Sequence, residues 1–246
     1  MSDTLLLNVG NTNTEVGVVE SGSFRFLDQF PTVLLHNDTS RLHSLVEERP
    51  LPWLAACVVP AVRTLLEAEF GTRFRVLQAS MLDGVDVSAV DAGTVGSDRL
   101  ANCAAAVAEQ DAPVIVLDCG TAVTTEVIDR QYRFIGGAIM PGRGLARRAL
   151  HAGTGLLPAV DTDAGAAFPQ AVGANTRDAI LAGTELGAVG AVREILSATR
   201  RQLGEPDCPV LVTGGDARFF VSRLSGAVAA RPHFSLYGLS RVAAVL

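Results

Sequence analysis

Two segments of this chain are near-copies of each other, and an internal duplication limits the available folds more than any other feature. Leu7-Asn8-Val9-Gly10-Asn11-Thr12-Asn13-Thr14-Glu15-Val16 opens the protein, and Leu117-Asp118-Cys119-Gly120-Thr121-Ala122-Val123-Thr124-Thr125-Glu126-Val127 recurs near its middle. Each reads as an apolar strand, a polar turn built on Gly, and a second strand. Each is followed by a similar tail, Ser23-Phe24-Arg25-Phe26 and Gln131-Tyr132-Arg133-Phe134. A turn rich in Gly and Thr at a strand end offers backbone N–H groups and hydroxyls to an anion. Two such turns facing each other would hold two parts of one polyphosphate. One position breaks the symmetry: Asn8 stands where the second copy has Asp118, and a carboxylate is what a hard cation prefers.

The rest of the chain alternates. Strands are expected at residues 5–9, 15–19, 54–59 and 74–77, with a helix over 61–70 and another over 98–109. The second copy begins at 114–117, and 136–144 reads as too glycine-rich for regular structure. A helix over 145–152, a loop over 162–172, a glycine-interrupted helical stretch over 176–203, a strand at 210–212 and a last helix after 239 follow. The pattern predicts an α/β protein of two similar halves, residues 1–112 and 113–246, with the ligand in the cleft between them at the strand ends.

Charge and composition exclude several classes. The net charge of −6, with no basic block, argues against nucleic-acid binding. All 20 basic residues are arginine, which rules out any phosphate site built on a lysine. Neither a basic-then-apolar leader nor an apolar run of the roughly 18 residues needed to span a bilayer is present, so a cytoplasmic protein without a membrane partner is expected. Cys57, Cys103, Cys119 and Cys208 are widely spaced and read as buried reduced thiols. His36, His43, His151 and His233 adjoin no acidic or cysteine cluster, so zinc is not expected.

Three glycine turns at strand ends, at Gly10, at Gly120 and at Thr213-Gly214-Gly215, can cradle a nucleotide without lysine, with arginine or a cation balancing the charge. Gly96-Ser97-Asp98-Arg99 precedes an alanine-rich helix. Asp98 there reads either as a helix cap or as a general base beside an anion-binding Arg99. Asp118, an acid at the end of an apolar strand, reads as a cation ligand. Arg143, Arg147 and Arg148 are as consistent with a solvated helix face as with phosphate contact.

These motifs, taken in order, resemble the type III pantothenate kinases, members of the acetate and sugar kinase, heat-shock ATPase and actin superfamily. Asn8-Val9-Gly10-Asn11-Thr12 resembles the family's first phosphate motif, which opens on an aspartate where this chain has Asn8. Val58-Val59-Pro60 resembles a strand-closing motif. Gly96-Ser97-Asp98-Arg99 resembles the motif of the catalytic base, and Asp118-Cys119-Gly120-Thr121-Ala122 the second phosphate motif with its monovalent cation site. Gly136 to Gly142, Gly173-Ala174-Asn175-Thr176 and Thr213-Gly214-Gly215 resemble the adenosine-side, pantothenate-side and late glycine motifs. The resemblance implies a duplicated ribonuclease H-like, actin-like ATPase fold and ATP-dependent phosphorylation of pantothenate, the first step toward coenzyme A.

It further implies ATP on Asn8, Val9, Gly10, Asn11, Thr12, Asn13, Thr14, Glu15, Gly120 and Thr121, with Asp98 as the base. Gly96, Ser97, Asp98, Arg99 and Thr176 would bind pantothenate, Asp118 would hold potassium or ammonium, and magnesium would lie at Asn8. A homodimer is implied in the same way. Two departures leave other readings open. Asn8 replaces an acid, and residues 89–94 lack the Tyr and Pro that usually precede the base. A member with weakened or no catalysis, binding nucleotide or pantothenate as a regulator, would fit the first. A kinase of another small hydroxyl-bearing substrate would fit the second.

Overall fold

The computed structural model describes residues 3–36, 38–45, 51–161 and 167–245. Two compact units are formed. The first comprises Met1–Val114, Glu126–Gly136 and Arg231–Leu246, and the second Ile115–Thr125 and Gly137–Ala230.

The first sheet contains β1 (Thr4–Val9), β2 (Asn13–Glu20), β3 (Ser23–Pro31), β4 (Trp53–Cys57) and β5 (Phe74–Val76), in the order β3-β2-β1-β4-β5. The hairpins run antiparallel, while β4 and β5 add in parallel, with α2 (Pro60–Phe70) between them in the chain. Residue alternation splits the sheet into two faces. Leu5, Leu7, Val9, Trp53 and Ala55 pack with Val62, Leu66 and Phe70 of α2, and with Leu42 of α1 (Ser40–Leu45). Leu6, Leu54 and Ala56 pack with Leu100, Ala101 and Ala104 of α3 (Ser97–Glu109) and with Leu236 and Leu239 of the C-terminal helix.

The second sheet contains β6 (Val114–Cys119), β7 (Ala122–Ile128), β8 (Ile139–Pro141), β9 (Val210–Thr213) and β10 (Ala227–Ala229), in the order β10-β9-β6-β7-β8. Its order repeats that of the first sheet strand for strand, the duplication carried to the level of topology. Its helices are α4 (Arg143–Ala152), α5 (Thr176–Leu181), α6 (Gly187–Leu203) and α7 (Ala217–Val221). A π-helical turn over Ala182–Leu186 joins α5 to α6.

Several expectations need correction. The segment 136–144 is not wholly irregular, because β8 lies inside it and pairs with β7. The two similar tails differ in structure: Ser23–Phe26 lies in β3, whereas in 131–134 Phe134 makes an isolated bridge to Ile128 and Arg133 one to Asp86. The glycines that follow the second tail, Gly136 and Gly137, are poor at holding a pleat, yet Val127 N–H still bonds Gly136 O at 2.9 Å. The helical stretch 176–203 is broken as α-helix by the π-helical turn over Ala182–Leu186, which contains Gly183 and abuts Gly187, whereas Gly190 lies inside α6 without breaking it. The expected loop at 162–172 lies partly outside the described residues, since 162–166 are not among them.

The last helix, α8 (Phe234–Ala243), begins before residue 239. It starts at His233, which holds the left-handed conformation at φ 55°, ψ 46°. Gly238 sits mid-helix where α8 crosses α3, and a Cβ there would strike the Ala101 carbonyl. The alanine-rich face of α3 serves the same close crossing. All four cysteines are free and buried. Burial raises the Cys103 thiol well above its usual pKa and lifts Cys208 to about 11, so neither is a ready nucleophile.

Candidate active site

In the first unit the glycine turn and the Asp98 motif meet at one sheet edge. Val9, the last residue of β1, is the register partner of Cys57, the last residue of β4. The Cys57 N–H donates to Ser97 Oγ at 2.8 Å, and that hydroxyl donates to the Cys57 carbonyl at 3.3 Å. Ser97 thus fastens the start of α3 to the ends of the two central strands. The turn itself closes by Gly10 N–H on Asn13 O at 3.0 Å, and Thr32 Oγ1 donates to Gly10 O at 2.7 Å.

Asn11, Thr12 and Asn13 are exposed around the turn. Val9 and Thr14 turn their side chains inward, and Thr14 Oγ1 lies 3.0 Å from Thr32 Oγ1. Val9 and Thr14 can therefore serve a ligand only through their backbone. Asn8 shares its sheet face with Leu6, the face that α3 covers. Its Nδ2 donates to Glu15 Oε2 at 3.2 Å, and Glu15 Oε1 accepts from His233 Nδ1 at 2.8 Å.

Gly96, not Asp98, occupies the cap position of α3 and makes no side-chain cap bond. Asp98 sits in the first turn, where a carboxylate is favoured by the helix dipole, and accepts the Arg99 N–H at 2.8 Å. Burial raises the Asp98 pKa above the usual carboxylate value. The Arg99 amide and guanidinium, and its own N–H, pull it back only in part. A desolvated carboxylate is a stronger proton acceptor than a solvated one.

Arg99 is held by a residue the sequence reading did not single out. Its Nε donates to Glu126 Oε1 at 2.8 Å, with side-chain exposures of 15% and 0% for the pair. Asn102 Nδ2 donates to Glu126 Oε2 at 3.3 Å, and Ser235 Oγ donates to Asn102 Oδ1 at 2.8 Å. The signal was available: Glu126 is an acid within an apolar strand, and a buried charge requires a partner.

The second unit builds its own glycine turn. Gly120 N–H bonds Ala122 O at 2.9 Å, and Gly142 N–H bonds Thr121 O at 3.0 Å. Gly120 and Thr121 are thereby flanked by the start of α4. Asp118, near the end of β6, pairs in register with Thr213 of β9. The following Gly214 has φ +90°, and a Cβ there would stand 2.6 Å from Asp118 Oδ1 and 2.5 Å from the Cys119 carbonyl. Gly214→Ala should cost at least roughly 1–3 kcal/mol from backbone strain alone, with further cost from the collision. A thermal melt of the variant reads this directly, and an unchanged Tm would refute it.

Arg143 and Arg147 are not a solvated face. Arg143 Nε donates to Asp216 Oδ2 at 3.1 Å, and both arginines pair with the buried Glu185 of the π-helical turn. The Asp216 end of the third glycine turn is pinned in this way. Thr176 opens α5 and is exposed. The preceding Asn175 caps the helix by accepting Asp178 N–H at 2.9 Å. Among the described residues no three His, Cys, Asp or Glu side chains form a metal-binding group, and no helix is long and apolar enough to cross a membrane.

Comparison with solved structures supports the fold. Component A of (R)-2-hydroxyglutaryl-CoA dehydratase from Acidaminococcus fermentans superposes with a TM-score of 0.55 at 15% identity, covering 100% of this chain and 97% of that one. MreB5 of Spiroplasma citri bound to ADP gives 0.51 at 11% identity, covering 100% and 96%. The architecture is that of the actin-like ATPases. At the sequence level, a protein named type III pantothenate kinase from Roseiflexus sp. (strain RS-1) is 32% identical over 253 aligned positions, spanning 96% of each chain. The family model described as type III pantothenate kinase matches residues 4–198. On this match and this identity, the chain belongs to the type III pantothenate kinase family.

Proposed function

We infer that this chain is a kinase that transfers the γ-phosphoryl group of ATP to the terminal hydroxyl of pantothenate. The observation that carries the chemistry is the joining, through Ser97 and Cys57, of a desolvated Asp98 carboxylate to the edge that bears the Gly10 turn. The hydroxyl oxygen forms its bond to the γ-phosphorus as the bond from that phosphorus to the bridging oxygen breaks. ADP leaves, and the hydroxyl proton passes to Asp98.

The residue roles belong to the same proposal. The turn at Gly10, with Asn11, Thr12 and Asn13, takes ATP phosphate through backbone N–H groups and side chains, and the turn at Gly120 and Thr121 does so in the second unit. Arg99, steadied by Glu126, pairs with the pantothenate carboxylate, and Thr176 offers its hydroxyl to the same substrate.

Magnesium fits the donors at position 8. Asn8 offers an amide oxygen beside the Glu15 carboxylate, and magnesium keeps several waters and is held largely by substrate phosphates. When bound, it offsets charge on the ATP oxygens. A monovalent cation, potassium or ammonium, is assigned to the Asp118 carboxylate near the end of β6, on the family resemblance. A cytoplasmic homodimer completes the reading, on the family resemblance alone.

An assay of ADP release tests it. With ATP, magnesium and potassium, release should depend on pantothenate, and mass spectrometry should find phosphopantothenate. Replacing potassium by sodium should reduce the rate. ATP and pantothenate both binding calorimetrically without turnover would instead identify a regulatory binding protein. Turnover with a different hydroxyl compound alone would move the substrate.

A further inference from the structure

Glu15 makes a set of contacts that phosphate binding alone does not explain. It is the cross-strand register partner of Asn8, and its two carboxylate oxygens are shared. Oε2 accepts from Asn8 Nδ2 at 3.2 Å, and Oε1 accepts from His233 Nδ1 at 2.8 Å. His233 is itself fixed. It stacks on Phe26 with ring centroids 3.7 Å apart and planes 10° from parallel, and it holds the left-handed backbone that starts α8. A residue of the C-terminal segment, outside the matched span 4–198, thus buttresses a residue of the N-terminal turn.

A carboxylate only accepts hydrogen bonds, so the Asn8 side facing Glu15 must be the NH₂ group. The carbonyl oxygen Oδ1 then points away from Glu15. We propose that Glu15 is a positioning residue that supplies, from the neighbouring strand, the negative charge absent at position 8, and that fixes Asn8 with its amide oxygen presented to the metal–phosphate group. Asn8 and Glu15 together do the work of a single acid. The proposal rests on the phosphate-site reading of Asn8 given above.

A consequence follows for the substitution that would otherwise restore the family motif. Asn8→Asp alone would set two carboxylates at hydrogen-bonding distance, with repulsion in place of the present bond. Asn8→Asp combined with Glu15→Gln would exchange the two groups. The amide introduced at position 15 could still accept from His233 through its oxygen. Its NH₂ group could donate to the carboxylate introduced at position 8.

The test measures manganese-dependent ATP binding by electron paramagnetic resonance, with kcat and KM for ATP and a thermal melt for each variant. Glu15→Gln should weaken metal-dependent nucleotide binding by about 10–100-fold, the usual effect of removing a partner behind a metal ligand. Asn8→Asp should also weaken it and lower the Tm. The double variant should recover most of both losses, and its recovery shows that the single variants did not fail merely through misfolding. Metal-dependent binding that is indifferent to Glu15→Gln, or an Asn8→Asp variant that binds better than wild type, would overturn the proposal alone. Metal-independent ATP binding by the wild type would overturn the phosphate-site reading itself.

Discussion

Asp98→Asn is expected to lower kcat for pantothenate phosphorylation by about 10²–10⁴-fold, the range a positioned general base contributes, without lowering the stability of the fold at pH 8. The two halves of this expectation have one cause. Burial of the Asp98 carboxyl raises its pKa above the usual carboxylate value, so the ionised form is the costly one. A group of this kind contributes stability that is fully present below its unfolded pKa and is lost as pH rises through its folded pKa. At pH 8 wild type therefore carries a charge its surroundings disfavour, and Asn does not. Asn Oδ1 can still accept the Arg99 N–H that Asp98 now accepts at 2.8 Å, so the helix start keeps its bond.

The Tm of the variant should match or exceed that of wild type at pH 8, and the difference should shrink as the pH is lowered toward 4. The wild-type rate should fall on the acid side as Asp98 becomes protonated. A variant that retains wild-type kcat would remove Asp98 from the reaction. A variant with a lower Tm at pH 8 would show that the carboxylate is held by attractions stronger than its desolvation.

The halves of this molecule were legible in its sequence to different depths. The turns at Gly10 and Gly120 could be read because glycine at a strand end is a local signal, and both are found at strand ends. The side-chain partners were not local. Glu15 and Glu126 align in the repeat, which suggests equal roles, but the turns differ in length. Gly10 N–H reaches Asn13 O, whereas Gly120 N–H reaches Ala122 O, a turn one residue shorter. The two acids consequently serve different neighbours: Glu15 meets Asn8, and Glu126 meets Arg99 and Asn102. His233 is 218 residues from Glu15 in sequence, and no periodicity joins them. The last helix begins at Phe234 rather than after residue 239, and Gly238 lies inside it despite glycine's low helix propensity, because close packing against Ala101 excludes a side chain there.

Glu126→Ala is expected to destabilise the protein by about 3–5 kcal/mol, the usual cost of removing one member of a buried ion pair. Glu126 is 0% exposed and Arg99 15%, so water cannot take over the lost partner. The substitution leaves the Arg99 guanidinium without its carboxylate and the Asn102 amide without its 3.3 Å acceptor. Asn102 in turn holds Ser235 at the start of α8, so the loss reaches the crossing of α3 and α8. For a chain of this size the shift in Tm is roughly 2–4 °C per kcal/mol, large enough for a simple melt. The control is Glu194→Ala. Glu194 pairs with Arg201 at 3.0 Å, but both side chains are mostly exposed, and such pairs contribute less than about 1 kcal/mol. Glu126→Gln should fall between the two, because it keeps the volume and one acceptor but loses the charge. Where enough folded Glu126→Gln remains for kinetics, KM for pantothenate should rise more than kcat falls, since Arg99 loses its anchor while Asp98 keeps its place in the first turn of α3. Equal melts for Glu126→Ala and Glu194→Ala would mean that Arg99 finds solvent or another acceptor when Glu126 is gone, and the buried pair would lose its claim to hold the Asp98 motif in place.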